Sequence, residues 1–407
     1  MKKTVGLMCM AILFSLFSPS PSTAGDTPVY GDTVTIEIRK LIAKELGIFH
    51  QKHNFSQGGL AVRLITPKGD YFAAVGMGKD IDEHIHFRAA STTKTFTAAS
   101  IMLMHQQGLL HIDDFVVDNI PSTSRPYLPN IPEYDIPHKN QITIRHLLGH
   151  RAGVFDVSND DIPESANAPY AGKRYTDYIR DTLGDDHHTF TFDEMVGVVA
   201  ANSLSYWPPG EGFHYSNTGY SILGKIIERI SGMSYGEYVR RTFTGPLKLA
   251  DTRFPDMGTD TALPSPYAAG YTLLGGRILE TTEDNMSQAV AEGNVITTPQ
   301  DLSRWITLLL SGRAGLSKKT VAEMMNVSKT GEHHVWYGLG ITKTVGLGFG
   351  HNGGHVGYMT VLRYDPEAEV TVLVFTSFLV ADDFTGQGEF LIDVAIKARE
   401  KAGYPGK

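Results

Sequence analysis

The sequence predicts an α/β (α+β) fold in which an antiparallel sheet is flanked by helices and carries an inserted, mostly helical region. Strand-like runs lie near both ends of the chain, and segments with apolar residues at helical spacing fill the middle. No internal repeat or low-complexity linker divides the sequence. We therefore expect one structural unit over residues 25–407, with the helical and loop insertion at about residues 108–290.

The first 24 residues have the pattern of a secretory signal peptide. Lys2 and Lys3 precede an uncharged apolar run, and small residues at Ser22 and Ala24 place the cleavage after residue 24. The apolar run is too short to span a bilayer. We expect a mature chain with no membrane span that is periplasmic or secreted.

The composition excludes several classes of function. The single cysteine, Cys9, lies in the leader, so the mature chain would have no disulfide and no cysteine metal ligand. A hydrophobic content of 42% is enough for a large globular core. The formal net charge is −8 and the basic residues are scattered, so nucleic acid is not an expected partner. No cofactor and no metal is predicted, and the oligomeric state is left open.

The N-terminal part predicts a helix, a hairpin and a second helix. Apolar positions recur at helical spacing over residues 32–49, and the β-rich runs 61–65 and 71–75 are separated by a turn. A helix is predicted to begin at Ser91 and to end before Gly108. Its body is apolar nearly all round, which predicts burial on most faces.

The rest of the chain alternates between loops and regular elements. Residues 121–192 are rich in Pro, Asn, Asp and Tyr and predict loops, apart from an ordered island at 142–150. Residues 217–230 predict an amphipathic helix. The C-terminal part predicts two strands and a helix, at residues 358–364, 370–377 and 389–398.

Ser91 and Lys94 form the first chemical motif. Three residues apart on a helix, their side chains share a face with Cβ atoms about 5–6 Å apart. Lys94 is the only Lys, Arg, Asp or Glu between Arg88 and Asp113, and burial would lower its pKa towards that of a base. Backbone N–H groups at a helix start also face a developing oxyanion. Taken alone, the motif fits either a nucleophile with its amine or an N-cap serine before a solvated lysine.

A second motif, Tyr215-Ser216-Asn217, lies on the turn before the helix at 217–230. Tyr215 could relay a proton if nearby cations lowered its pKa, and Asn217 could hold Lys94 or a substrate amide. A packed tyrosine and a capping asparagine are the alternative.

The third motif is His351-Asn352-Gly353-Gly354, which precedes the strand at 358–364. Its glycines would let a substrate backbone approach closely. The histidine could donate to a transition state and would then titrate between about pH 5 and 8. An ordinary strand histidine is the alternative.

In this order, the three motifs resemble those of the penicillin-recognising serine hydrolases, in the branch shared by class C β-lactamases and Streptomyces-type D-alanyl-D-alanine carboxypeptidases. The resemblance runs from about residue 32 to the C-terminus and implies a β-lactamase/transpeptidase-like fold. Typical segments surround the motifs at residues 87–91, 108–114, 142–148, 209–211, 293–302 and 337–340.

The resemblance also implies roles for the site residues. Ser91 would attack a substrate carbonyl, Lys94 and Tyr215 would share the proton transfers, and His351 would be a further catalytic residue. The oxyanion hole would use the backbone N–H groups of Ser91 and Gly354. Which of Lys94 and Tyr215 is the base stays open, because their titrations should be coupled. The implied substrate-binding and oxyanion set is Asn217, Asn352, Gly353 and Gly354.

Departures from the family pattern leave the substrate open. His351 stands where class C β-lactamases have lysine and agrees with carboxypeptidase-like, D-aminopeptidase-like and some esterase members. Gly354 and Gly340 stand where carboxypeptidases have a hydroxyl residue and an arginine, which argues against binding a free carboxylate. Lys329-Thr330-Gly331 spells a third motif of the family, but it precedes Tyr337, whereas the family places the motif after that segment.

The sequence thus predicts an exported serine hydrolase that acts through a Ser91 acyl-enzyme on small peptide or amide substrates, with cell-wall peptides and β-lactams included. It would be most like D-alanyl-D-alanine carboxypeptidases or D-aminopeptidase-type enzymes. An esterase, a weak class C-like β-lactamase and a penicillin-binding sensor without turnover are the alternatives.

Overall fold

The computed structural model describes residues 33–79, 81–331 and 335–406. The signal peptide predicted at residues 1–24, with Cys9, lies outside these ranges, and export stays a prediction. The α-helices in these ranges are α1 (Thr33–His53), α2 (Thr93–Gln106), α3 (Ile144–Leu148), α4 (Tyr175–Asp177), α5 (Phe192–Ala201), α6 (Asn217–Ser231), α7 (Tyr235–Val239), α8 (Pro299–Leu310), α9 (Lys318–Met324) and α10 (Phe384–Lys401). The strands are β1 (Leu60–Thr66), β2 (Gly69–Val75), β3 (Phe87–Ala90), β4 (Tyr271–Leu274), β5 (Arg277–Glu280), β6 (Val295–Thr297), β7 (Ser328–Lys329), β8 (Trp336–Tyr337), β9 (Thr342–Thr344), β10 (Gly348–His355), β11 (Tyr358–Asp365), β12 (Val370–Thr376) and β13 (Phe378–Val380).

Eight strands form one antiparallel sheet in the order β2-β1-β12-β11-β10-β9-β8-β7. The N-terminal hairpin joins this sheet through β1, whose Leu60 lies opposite Thr376 of β12. Two smaller sheets, β13-β4-β5 and β3-β6, complete the strands that the structure describes. The architecture confirms the predicted antiparallel sheet with flanking helices.

Both faces of the large sheet are buried, and alternate residues of each central strand enter different cores. In β12, Val372 and Val374 pack with the apolar faces of α1 and α10. Leu373 and Phe375 point to the opposite core, which contains α2, α6 and α8. Because side chains alternate between faces, a strand buried on both sides is apolar at every position. This explains the continuous apolar run from which the strand was predicted.

Helix α2 lies at the centre of the second core, and every residue from Thr93 to Met104 is buried. The ring of Phe96 stacks on that of Trp305 in α8, with centroids 4.0 Å apart and planes 6° from parallel. The indole N–H of Trp305 donates to Thr95 Oγ1 at 2.8 Å. This contact satisfies the polar atom of a fully buried side chain and fixes α8 against α2.

Two regions differ from the sequence predictions. Helix α2 begins at Thr93, so Ser91 lies on the turn before it and not inside it. The predicted loops of residues 121–192 also contain α4 and a π-helical turn, Tyr178–Thr182, besides the expected island at α3. These elements are too short to show a hydrophobic period. No helix in the described ranges combines the length and apolarity needed to cross a bilayer.

Replacing Trp305 should test how strongly α8 is held to α2. We expect Trp305→Ala to lower the free energy of unfolding by about 3–5 kcal/mol, because it leaves a cavity beside Phe96 and removes the hydrogen bond to Thr95. Chemical denaturation monitored by circular dichroism measures the change. Val345→Ala, at a side chain that is 71% exposed, is the control and should change stability by less than about 0.5 kcal/mol. Equal effects of the two substitutions would contradict this packing.

Candidate active site

Ser91 lies on a tight turn between β3, which ends at Ala90, and α2. Ala90 has φ +49°, the left-handed region that non-glycine residues seldom occupy and that costs about 1–3 kcal/mol. The Lys94 N–H donates to the Ser91 carbonyl oxygen at 3.0 Å, which closes the first helical turn. The strained residue therefore turns the chain so that Ser91 is presented immediately before a buried helix.

The Lys94 ammonium group is fully buried and has three hydrogen-bond acceptors. Nζ lies 2.7 Å from Asn217 Oδ1, 2.8 Å from the backbone oxygen of Glu292 and 3.3 Å from Ser91 Oγ. It also lies over the ring of Tyr215, 4.7 Å from the centroid. The structure thus brings Ser91, Lys94, Tyr215 and Asn217 together.

Two buried carboxyl groups surround this amine. Burial lowers the pKa of Lys94 to about 8, although the nearby charges of Glu292 and Asp156 act in the opposite direction. Burial also raises the pKa of Glu292 to about 8, against the attraction of Lys94. The Glu292 carboxylate oxygen Oε2 lies 3.6 Å from Lys94 Nζ. A neutral amine is therefore accessible at Lys94 near neutral pH.

Tyr215 and Asn217 are positioned by the start of α6. The Asn217 N–H donates to Asp156 Oδ2 at 2.9 Å, which fixes this end of the helix. Tyr215 shares a hydrogen bond with Ser91, but burial raises the pKa of Tyr215 well above its ordinary value. The lowered pKa that would favour a proton relay by Tyr215 is therefore absent, because loss of hydration favours the neutral phenol.

Strand β10 carries the third motif and lies against the turn that holds Ser91. A Cβ at Gly353 would lie 2.2 Å from the Ala89 carbonyl oxygen, so glycine is required for this approach. Asn352 Oδ1 accepts a hydrogen bond from Arg363 at 2.8 Å. Gly353 therefore lies against the end of β3, and Gly353 and Gly354 line a cavity together with Ser91.

The imidazole of His351 is held by a chain of hydrogen bonds whose direction is fixed at both ends. The Ser216 N–H donates to His150 Nδ1 at 3.0 Å, so His150 carries its proton on Nε2, which contacts Tyr337 Oη at 3.1 Å. At the other end, His351 Nδ1 donates to the Asn352 carbonyl oxygen at 2.6 Å. The Tyr337 hydroxyl therefore donates to His351 Nε2, 2.9 Å away.

His351 does not titrate in the range expected from the sequence. Burial lowers the pKa of His351 to about 3, and the nearby Lys94 acts in the same direction. The ring is neutral at pH 5–8, and the expected titration there is wrong. A pattern of residue types does not show that a strand histidine is fully enclosed.

Both glycines that depart from the carboxypeptidase pattern have steric explanations. A Cβ at Gly354 would lie 2.5 Å from the ring of Phe384, the first residue of α10. Gly340 has φ +68°, and its Cβ would lie 2.3 Å from that of Ala98. The Phe384 ring thus occupies the space that a side chain at position 354 would need. Ala98 of α2 occupies the space that a side chain at position 340 would need.

Two cavities meet at Ser91 and share Phe384 as a wall. The first, about 520 Å³, is mainly apolar and is lined by residues that include Phe213, Met359 and Val361. The second, about 450 Å³, has a mixed polar and apolar lining that includes the charged residues Arg174, Arg180, Asp177, Asp284 and Glu292. A bound substrate can therefore place chemically different groups on the two sides of its reacting carbon.

Sequence reasoning missed Glu292, Asp156, His150, Tyr337 and Phe384 as site residues. Tyr337 and the island before His150 were noted only as typical segments. No local pattern marks the other three, because they reach Ser91 from distant parts of the chain. In the described ranges, no group of three or more His, Cys, Asp or Glu is arranged to hold a metal ion.

The segment Lys329-Thr330-Gly331, which spells a family motif in the wrong order, does not line the cavities at Ser91. Lys329 is exposed on β7, the edge strand of the large sheet, where Nζ lies 5.3 Å from the ring centroid of Trp336. The cavities at Ser91 are lined by β10 residues and not by this segment.

The chain is similar to curated proteins of bacterial origin. It is 27% identical over 272 residues to Protein flp of Staphylococcus aureus (strain COL), which covers 64% of this chain and 47% of that protein. It is also 27% identical over 332 residues to Penicillin-binding protein 4* of Bacillus subtilis (strain 168), which covers 77% and 66%. The chain spans between about half and two thirds of the length of these relatives.

Solved structures share the fold. D-stereospecific amidohydrolase from Streptomyces sp. superposes with a TM-score of 0.72 at 24% identity, covering 87% of this chain and 98% of that one. D-amino acid amidase from Ochrobactrum anthropi SV3, complexed with L-phenylalanine amide, gives 0.70 at 22% identity and covers 91% and 100%. Residues 56–395 match the family described as Beta-lactamase. Since this match includes the turn at Ser91 and the strands around it, the chain belongs to the Beta-lactamase family of serine hydrolases.

Proposed function

We propose that this chain hydrolyses amide or peptide bonds through an acyl-enzyme on Ser91. The observation that carries the proposal is the buried contact between Lys94 Nζ and Ser91 Oγ, at 3.3 Å. An amine whose pKa burial lowers to about 8 can remove the hydroxyl proton of the serine near neutral pH. Export stays the prediction made from residues 1–24.

The hydrogen bonds of Lys94 aim its lone pair at the nucleophile. In the neutral amine, two N–H groups donate to the short acceptors, Asn217 Oδ1 and the Glu292 carbonyl oxygen. The lone pair is then directed at Ser91 Oγ, the longer contact. Lys94 takes the proton as Ser91 attacks the substrate carbonyl. Among Lys94 and Tyr215, this geometry and the raised pKa of Tyr215 favour Lys94 as the base.

We assign the remaining residues as follows. The backbone N–H groups of Ser91 and Gly354 stabilise the oxyanion. Tyr215 is protonated when the substrate binds. It donates its hydroxyl proton to the leaving nitrogen and takes in exchange the proton that Lys94 accepted from Ser91. His351 uses both ring nitrogens in the chain with Tyr337 and Asn352, so it holds β10 in place and does not transfer protons. Water then attacks the acyl group and gives a proton to Lys94, which passes it to Ser91 Oγ as the bond from Ser91 to the acyl carbon breaks.

The steric exclusion at positions 340 and 354 favours substrates without a free carboxylate beside the scissile bond. The family pattern for carboxypeptidases needs side chains there, and Ala98 and Phe384 occupy the space. The structural neighbours that act on amides, a D-stereospecific amidohydrolase and a D-amino acid amidase, support amides of D-amino acids or short peptides as substrates. D-alanyl-D-alanine peptides and cell-wall peptides become the less favoured class.

A second candidate is an esterase. The apolar lining of the larger cavity, with Phe213, Met359 and Val361, suits an acyl or alkoxy group without charge. Turnover of D-amino-acid amides, D-Ala-D-Ala peptides, p-nitrophenyl esters and nitrocefin by the purified protein separates these activities. A stable penicillin adduct with no turnover of any substrate would instead support a sensor.

Ser91→Ala should abolish both hydrolysis and labelling by a fluorophosphonate, since it removes the attacking oxygen. Intact-protein mass spectrometry measures the adduct, and circular dichroism checks the fold. Ser221→Ala, which replaces a buried serine on α6, is the matched control and should keep the label. Labelling that persists in Ser91→Ala would refute the nucleophile.

The pH dependence should report Lys94. Below a pKa of about 8 the amine is protonated and cannot accept the serine proton. The acylation rate should therefore fall about tenfold per pH unit below 8 and be constant above it. Lys94→Arg should lower the acylation rate about 10²–10⁴-fold, because arginine stays protonated. Stopped-flow release of p-nitrophenol measures the pH dependence and the rate of the variant. A fall in the acylation rate centred at pH 6–7 would implicate a histidine instead.

Phe384→Ala should change substrate selection, because the ring separates the two cavities at Ser91. We expect kcat/KM for amides with bulky substituents to rise at least about tenfold relative to alanine amide. Ile48→Ala, at a side chain on α1 that is 54% exposed, is the control and should leave the ratio unchanged. An unchanged ratio in Phe384→Ala would rule out this ring as a specificity determinant.

A further inference from the structure

We propose that Glu292 is a positioning residue that completes a Ser91–Lys94–Glu292 triad, in which its carboxylate stabilises the ammonium formed when Lys94 takes the serine proton. The inference rests on the proposed acyl-enzyme function and names a residue that the three sequence motifs do not contain. It explains why a carboxyl group is buried beside the reactive amine.

The first argument is contact. Glu292 Oε2 lies 3.6 Å from Lys94 Nζ, and Ser91 Oγ lies 3.3 Å from the same nitrogen. The side chains of Lys94 and Glu292 are 0% and 4% exposed. At this separation the interaction of two buried charges is far stronger than between exposed ones, since water does not screen it. The Lys94 nitrogen therefore contacts both Ser91 Oγ and the Glu292 carboxyl group.

The second argument is that the main chain of residue 292 already serves Lys94. The Glu292 carbonyl oxygen accepts from Nζ at 2.8 Å, and that contact needs no particular side chain. A carboxyl group at this position adds a charge to a site that its backbone alone could orient. Burying that charge is costly unless an opposite charge compensates it. In the described ranges, Lys94 is the cation that forms an ion pair with it.

The third argument concerns the proton balance. When Ser91 attacks a carbonyl carbon, the O–H bond breaks and the proton moves to Lys94, which becomes an ammonium. The leaving nitrogen then takes a proton, and Lys94 returns to the neutral amine. Above its raised pKa of about 8, Glu292 is a carboxylate. Its attraction then exists only while Lys94 is an ammonium, so it lowers the energy of the step in which charge develops.

Other charged and titratable groups face this pair. The charge of Asp156 acts on both Lys94 and Glu292. Asp156 belongs to the loop before α4, and its carboxylate accepts four hydrogen bonds, one of them from the start of α6. The Asp156 oxygens accept from backbone and amide N–H groups, whereas Glu292 is the acid that forms an ion pair with Lys94 in the described ranges. The other titratable groups near Lys94 are His150, His351, Tyr215 and Tyr220. Those that line the second cavity together with Glu292 are Asp177, Asp284, His355, Arg174 and Arg180.

The test is Glu292→Gln, which keeps the shape and removes the charge. Loss of the carboxylate should lower the pKa of Lys94, so the acid limb of acylation should move at least one unit to lower pH. The acylation rate on the plateau should fall roughly 100-fold, because the ammonium loses its partner. Burst kinetics with a p-nitrophenyl ester from pH 5 to 10 measure both quantities.

Two variants guard the interpretation. Glu292→Asp keeps a negative charge and should place the limb nearer that of the unmodified protein than Glu292→Gln does. Glu228→Gln on α6 is the matched control, since burial also raises the pKa of Glu228 and its carboxyl accepts from the Tyr235 N–H at 3.1 Å. Glu228→Gln should change neither the pH at which the acylation rate falls nor its plateau value.

The outcomes separate the inference from the proposed function. Fluorophosphonate labelling of Ser91 in the unmodified protein tests the function, and its absence would refute the acyl-enzyme. With labelling present, an unmoved limb in Glu292→Gln, or equal shifts in the Gln and Asp variants, would refute the triad alone. Labelling of Glu292→Gln at pH 10 shows that the variant is folded, and if it does not label, the Asp variant decides.

Discussion

The burial of one amine, that of Lys94, determines how the rest of the site is arranged. A buried amine is tolerated only if hydrogen-bond acceptors and an opposite charge replace its water. The acceptors come from three separate parts of the chain, namely the turn at Ser91, the start of α6 at Asn217 and the segment before β6 at Glu292. The large core around α2 holds these parts in contact, so packing and reactivity depend on the same helix.

Much of the fold could be predicted because its signals are local. Strands buried on both faces gave continuous apolar runs, and α2 was recognised from an apolar body interrupted by a single lysine. The contribution of Glu292 could not be predicted, because its partner lies 198 residues away and its own segment has no distinguishing pattern. The sign of the Tyr215 shift was also out of reach, since residue types do not reveal how completely water is excluded.

The glycines of the third motif illustrate how a sequence feature acquires meaning from its surroundings. Gly353 was expected to admit a substrate backbone, whereas the structure shows that it admits the backbone of Ala89. Gly354 is matched by Phe384, whose ring occupies the space that another side chain would need. Under the proposed function, α10, which none of the motifs includes, would therefore contribute to substrate preference.

The pairing of β1 with β12 also has a consequence for the time at which activity can arise. Leu60 cannot pair with Thr376 until the ribosome has made nearly the whole chain, and Phe384 is added later still. Contacts between such distant residues form slowly, because a long loop must close first. Ser91, the proposed nucleophile, is thus synthesised early but stays without β10 and Phe384. A nascent or truncated polypeptide that lacks these elements would not have the proposed site, and the proposed hydrolysis would begin only after they are made.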